Sequence, residues 1–332
     1  MMDEASGESI LDTWHLKNPR EKAAILEQVV DIQATLLSNT FATHGSLYRV
    51  VDARRRGQPN DAVVRVQRDS SSPLSTDYQI GSLADLDEYR ARTPNRGPWS
   101  TAQDWLRAIA DNRITHYSAR LKSIDGVPQS ANPCSAVHQK VQSLAKSREL
   151  LGEDFLPRLW HGNDFRADSI FVTGDRVTSI TGWRASSICP LPFLATRPDF
   201  VQYDGRVSLL YGDCVESRCD LLNRTLNSDF CSRLRRTVNL AASDDNNPGI
   251  LLWTLIELAQ HWDEFSNSDC PVEYSETEME KSCSTMDDWN AAAAKWDGIG
   301  DMVSRDGWVS NENYEVAQSV LANGAFYSCK IC

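Results

Sequence analysis

Apolar residues recur along most of this chain at spacings of three and four, the signature of helices with one buried face. Asn18-Pro19-Arg20-Glu21 opens the first of them, because Asn can cap, Pro tolerates the first helical position and Glu at the third reaches back to the cap. Ile25, Val29, Ile32 and Leu36 follow, so the spacing predicts a helix over 19–38 with that stripe turned inward. Ser100 with Gln103 is a second capping pair, ahead of a stripe through Trp105 and Ile109 toward Leu121. Val137, Val141 and Leu144 mark a helix from Ser135 to Leu151. Pro248 opens another over Ile250 to Phe265, Ser275 and Glu278 form a capping box for the next, and a last helix lies near Asn313 to Leu321.

Strand-like runs interrupt this pattern in two places. Ser46–Val50 and Ala62–Val66 read as short strands around the basic Gly/Pro-containing stretch Arg54 to Asn60. Between Leu156 and Trp183, Phe171-Val172 and Val177–Ile180 are bounded by Gly and Asp and predict a loop followed by a small hairpin. Many helices around one small β element predict a single α+β domain over 18–322, with 1–17 as an N-terminal extension and 323–332 as a tail.

Composition narrows the partners. With 332 residues, 41 % of them hydrophobic, the chain can bury an ordinary core. A formal charge of −12 argues against nucleic acid and against an anionic membrane, which both need a basic patch. The acid excess is concentrated: from His261 to Glu315 fourteen Asp and Glu stand against Lys281, Lys295 and Arg305, a local balance of −11. That run is either a set of solvated helix faces or a site for a cationic small molecule. The nine cysteines have no zinc-type spacing and read as reduced thiols. Cys329-Lys330-Ile331-Cys332 fits a prenylation box poorly, and the polar start of the chain lacks a signal core, so the expected address is the cytoplasm.

One stretch carries chemistry. His161-Gly162-Asn163-Asp164-Phe165-Arg166-Ala167-Asp168-Ser169-Ile170-Phe171-Val172, followed by Ile180-Thr181-Gly182-Trp183, resembles the catalytic stretch of the aminoglycoside-phosphotransferase-like family, its fungal branch above all. Phe41 to Tyr48, Arg96-Gly97-Pro98-Trp99-Ser100, Arg197-Pro198-Asp199-Phe200, His261-Trp262-Asp263-Glu264 and Asp306-Gly307-Trp308-Val309 are similar to it in the same order, so the likeness spans roughly residues 10–322. It implies the mostly helical C-terminal lobe of a kinase-like fold. In such kinases a loop Asp deprotonates the acceptor hydroxyl, while an Asn and a later Asp hold magnesium against the nucleotide phosphates.

This sequence departs from that pattern. Aligned from His161, Asn163 stands where the base belongs and Asp168 where the metal Asn belongs; aligned back from Ile170, the places fall to Asp164 and Ser169. After Ile180-Thr181-Gly182 the family's Ile-Ile-Asp is missing and Trp183 follows at once. No Gly-rich phosphate cradle occurs, and the chain begins near the family's hinge, so the resemblance implies a lobe without its nucleotide-binding partner, without ATP-dependent transfer, metal or cofactor. The expected pocket holds Asp164 and His161 as acid or base, with Asn163, Arg166, Asp168, Trp183 and Arg184 around them and Trp262 and Asp263 approaching from the acidic helices. His161 bracing the loop and Trp183 packing in the core are the structural readings of the same residues. Three functions stay open: nucleotide-independent cyclisation or isomerisation in fungal secondary metabolism, a catalytically dead pseudokinase scaffold, and a residual phosphotransferase. A homodimer through the uncovered upper face is the expected way to bury that face.

Overall fold

The computed structural model describes residues 5–50, 78–84, 93–122, 133–161, 165–183, 186–202, 205–243, 248–297 and 314–323. The fold is α+β, with helices dominating and, among the described residues, three small antiparallel sheets. The predicted strand Ala62–Val66 and the Asp306–Val309 motif lie outside the described residues, as do Asn163, Asp164 and Arg184.

The chain enters through β1 (Glu8–Ser9), α1 (Ile10–Thr13) and a 3-10 turn (Trp14–Leu16), and then runs down α2 (Pro19–Leu37). The α2 capping box forms as expected: Asn18 Oδ1 accepts from the amides of Arg20 and Glu21, and the Asn18 amide donates to the Glu21 carboxylate at 2.9 Å. Its buried face is turned slightly from the expected stripe. Ile25, Leu26, Val29, Val30, Gln33 and Leu37 are buried, whereas Ile32 and Leu36 are only half-buried, because α2 is gripped on two sides, by the hairpin below the loop and by a helix across it.

β2 (Ser46–Arg49) pairs with β3 (Tyr78–Gly81), a strand not among those expected from the sequence. α3 (Ala102–Lys122) starts one residue later than the Ser100–Gln103 pair predicts: Thr101 Oγ1 accepts from the Asp104 amide at 3.1 Å, and Gln103 instead donates to the Ser147 carbonyl. Against α3 lies α4 (Pro133–Leu144), with Val137, Val141 and Leu144 buried as predicted. The helix ends there, and Arg148–Leu151 continues as a separate 3-10 turn capped by Ser147.

β4 (Arg158–Trp160) leads into the loop, followed by the hairpin of β5 (Ile170–Thr173) and β6 (Arg176–Ile180). β7 (Ser187–Cys189) returns to pair with β4. The rest is helical: α5 (Leu191–Leu194), α6 (Asp199–Gln202), α7 (Gly205–Arg218), α8 (Asp220–Asn227), α9 (Asp229–Ala242), α10 (Pro248–Gln260), α11 (Glu276–Asp297) and α12 (Tyr314–Asn323). The Ser275–Glu278 box caps α11 as predicted, with the Ser275 amide 2.9 Å from the Glu278 carboxylate.

Three apolar clusters result. Helices α3, α4, α9 and α10 share the largest, around Leu106, Leu144, Phe193, Leu234 and Leu255. Trp99, Trp105, Trp160 and Tyr211 form a second between α2 and α7. The third holds Ile10, Ile25, Val29, Phe165, Ile170 and Val172, directly beneath the loop. The segment 5–16 is thus tied to the lobe: Glu8–Ser9 pair with β5 in the β1-β5-β6 sheet, and Ile10 is buried in the third cluster. No helix among the described residues is long and apolar enough to cross a membrane.

Candidate functional site

The described residues on either side of 162–164 are held by contacts from several elements. His161 follows β4, is fully buried, and places Nε2 at 2.8 Å from the Thr181 carbonyl. A carbonyl can only accept, so Nε2 carries the proton and donates it. Nδ1 is then buried with no hydrogen-bond partner among the described residues. Phe165 stacks on the imidazole at 4.7 Å, and Trp183 meets it edge-on at 4.8 Å. Phe165 adopts φ 51°, a left-handed conformation that costs a non-glycine residue about 1–2 kcal/mol and is tolerated here because its ring is fully buried in the cluster under the loop.

Beyond Phe165 a 3-10 turn over Ala167–Ser169 brings the chain to β5. Its first residue is held at both of its backbone groups: the Ala167 amide donates to Asp199 at 3.2 Å, and the Ala167 carbonyl accepts from the Ser9 hydroxyl at 3.1 Å. Asp199 also accepts from the Phe200 amide at 2.7 Å, so the start of α6 and the loop share one carboxylate. Neither Ser9 nor Asp199 is marked by sequence patterning, since their partners are backbone groups about 30 and 160 residues away; the Arg197-Pro198-Asp199-Phe200 stretch was visible only as part of the resemblance.

Asp168 faces Arg166, with the guanidinium at 3.2 Å in an exposed pair, and accepts from the Ser169 hydroxyl at 3.3 Å. After Gly182 the next side chain is the Trp183 indole, which donates to the Ile180 carbonyl at 2.9 Å and stays 42 % exposed above His161. Among the described residues no three His, Cys, Asp or Glu side chains come together as metal ligands.

Gly182 sets that arrangement. It sits at φ 78°, and a Cβ there would lie 2.8 Å from the Ser169 hydroxyl and 3.6 Å from the His161 ring. Gly182→Ala is expected to cost about 1–2 kcal/mol through the left-handed backbone alone, read as a lower midpoint in urea unfolding; an unchanged midpoint would show that the turn relaxes freely.

His161, Arg166, Asp168 and Trp183 therefore gather at the loop. Trp262 does not. It is buried in the helical core against Phe230 and Phe265, each 5.7 Å away, and Asp263 beside it is exposed. Their proposed approach to the loop is corrected accordingly: α10 ends in the large helical cluster, and its last apolar residue is spent there.

The chain is similar to two curated proteins, each called Altered inheritance of mitochondria protein 9, mitochondrial. The relative from Yarrowia lipolytica is 26 % identical over 222 residues, which is 62 % of this chain and 38 % of the relative. That from Zygosaccharomyces rouxii is 28 % identical over 212 residues, 55 % of this chain and 33 % of the relative. The chain thus matches about a third of the length of each, 38 % of one and 33 % of the other. No protein-family model matches it, and no solved structure does. Two expectations are overturned by these relatives: their names are mitochondrial, against the cytoplasmic address, and they point away from a cyclase or isomerase of fungal secondary metabolism.

Proposed function

We propose that the chain forms a kinase-like lobe serving a mitochondrial function, akin to the mitochondrial inheritance proteins it resembles, and that this lobe works without metal-assisted phosphoryl transfer. The observation that carries the second half is Trp183. In the aminoglycoside-phosphotransferase-like pattern a carboxylate follows the Ile-Thr-Gly strand and anchors magnesium; here an indole follows Gly182 and closes over His161. Asp168, a carboxylate of the same loop, is engaged by Arg166. Without a pair of metal oxygens, in-line transfer loses the electrostatic stabilisation that dominates this chemistry. The kinase-like half of the reading is supported by the ordered motifs and by the loop, hairpin and helix arrangement around them.

What the loop can do is bind and brace. One nitrogen of His161 is occupied by Thr181, and the clamp of Ser9 and Asp199 on Ala167 fixes the backbone rather than exposing it to solvent. The mitochondrial half rests on the relatives alone.

Calorimetry of the full chain with ATP and magnesium is expected to show no magnesium-dependent binding. A dissociation constant below about 100 μM, or more than about 5 kcal/mol of binding, would overturn the absence of transfer chemistry. The gene product, tagged at its C-terminus and expressed from its own locus, is expected to co-fractionate with mitochondria; a purely cytosolic distribution would overturn the mitochondrial assignment and leave the kinase-like reading untouched.

A further inference from the structure

A second site stands apart from the loop, where residues 95–100 run beside the first turns of α3. The cleft between them has a volume of about 360 Å³ and is lined by Asn95, Trp99, Asp104, Arg107 and Asp111, among others. That is the lower end of the size of small-molecule sites. Its wall is tied to the helix before any ligand arrives: Asn112 donates to the Asn95 carbonyl at 2.7 Å and accepts from the Asn95 amide at 3.1 Å, while Asn95 Oδ1 accepts from the Trp99 indole at 3.1 Å.

The charges in the cleft are arranged in a row. Asp104, Arg107 and Asp111 follow at intervals of three and four, so they share one face of α3, with the two carboxylates about 10 Å apart along the axis at 1.5 Å per residue. Such spacing normally lets Arg pair with either acid, yet Arg107 is exposed and belongs to none of the ion pairs of the described residues. Neutral donors hold the carboxylates instead. Thr101 Oγ1 donates to Asp104 Oδ2 at 2.8 Å and Gln142 Nε2 to Asp111 Oδ1 at 2.5 Å, which leaves one oxygen of each for another partner.

We infer that this cleft binds a small basic zwitterion, a molecule with two cationic groups and one carboxylate, as in a basic amino acid. The acid, base, acid row is complementary to that charge set, and the polar lining suits a charged solute rather than an apolar one. The site is independent of the acid-rich run after His261 and of the kinase-like reading.

The test is calorimetric titration of the full chain at low ionic strength with L-lysine as probe. Saturable binding in the millimolar range is expected, weakened about fivefold or more by Asp111→Asn, the scale of one partly exposed ion pair. Cadaverine, which keeps both cations and lacks the carboxylate, should bind at least about fivefold more weakly than lysine, and Arg107→Gln should erase that preference. Arg107 is exposed and Asp111 half-buried against Gln142, so the melting temperature of each variant is measured beside the titration, and an unchanged value confirms that it is folded. No saturable heat up to about 20 mM lysine, equal binding of cadaverine and lysine to the parent, or a preference that survives in Arg107→Gln would each overturn the assignment.

Discussion

Shortening Ile10 to alanine is expected to cost about 3 kcal/mol of folding stability, within the range of about 2–5 kcal/mol found when a buried aliphatic side chain is cut to a methyl group. Ile10 is fully buried among Phe165, Ile170 and Val172, so the cavity would open directly under the His161 loop. The neighbouring Leu11 is 62 % exposed, and its replacement by alanine should stay within about 0.5 kcal/mol of the parent. Urea unfolding of the three proteins measures both. A loss under about 1 kcal/mol for Ile10→Ala would mean that residues 5–16 rest on the lobe without being part of its core. The expected loss would instead make them a structural floor for the loop, consistent with the Ser9 bond to Ala167.

Acid should destabilise the protein earlier than its carboxylates alone would. His44 is buried, with neither ring nitrogen hydrogen-bonded, between the Trp105 ring at 5.6 Å and the backbone bridge to Trp99. Burial lowers its pKa from 6.5 to about 3, and the field of Asp104 offsets this only in part. The unfolded chain takes up a proton below pH 6.5 that the folded chain refuses, so the folded state loses ground as pH falls from 6.5 toward 3 and gains nothing further above 6.5. At about 1.4 kcal/mol per pH unit, the loss reaches about 2–3 kcal/mol by about pH 4.5. His138, also lowered by burial, acts in the same direction. Its ring nitrogens face the carbonyls of Cys134 and Ala241, which raise its pKa against that burial. Denaturation midpoints between pH 7.5 and 4.5 should therefore fall less steeply in His44→Leu than in the parent; parallel curves would show that the His44 ring reaches water in the folded state.

Local rules made much of this fold legible. The Asn18–Glu21 and Ser275–Glu278 boxes predicted helix starts because a cap is written within four residues, and both formed. The β5–β6 hairpin was visible because its apolar runs are set off by Gly and Asp. Val137, Val141 and Leu144 pointed inward as their spacing required. The place of the candidate site was legible in the same way, since the His161 to Ser169 stretch combines a turn-rich loop with the residues of a known pattern.

Sequence alone could not decide what each of those residues touches. β3 is only four residues long, too short for its pattern to stand out, and it becomes a strand because β2 offers it a hydrogen-bonding edge, a nonlocal condition. The rotation of α2's buried face comes from two neighbours on different sides, which no period in α2 itself records. Trp262 and Trp183 are both apolar and near motif residues, yet one fills the helical core and the other lies half in solvent over His161. The clamp on Ala167 joins the Ser9 and Asp199 side chains to a loop residue from three distant parts of the chain, and what they grip on Ala167 is its amide and carbonyl, backbone groups that nearly every residue type carries. Residue chemistry and short-range periodicity are properties of the sequence; which partner completes a hydrogen bond or covers an apolar face is settled only when the chain is packed, because those contacts depend on neighbours that the local pattern does not contain.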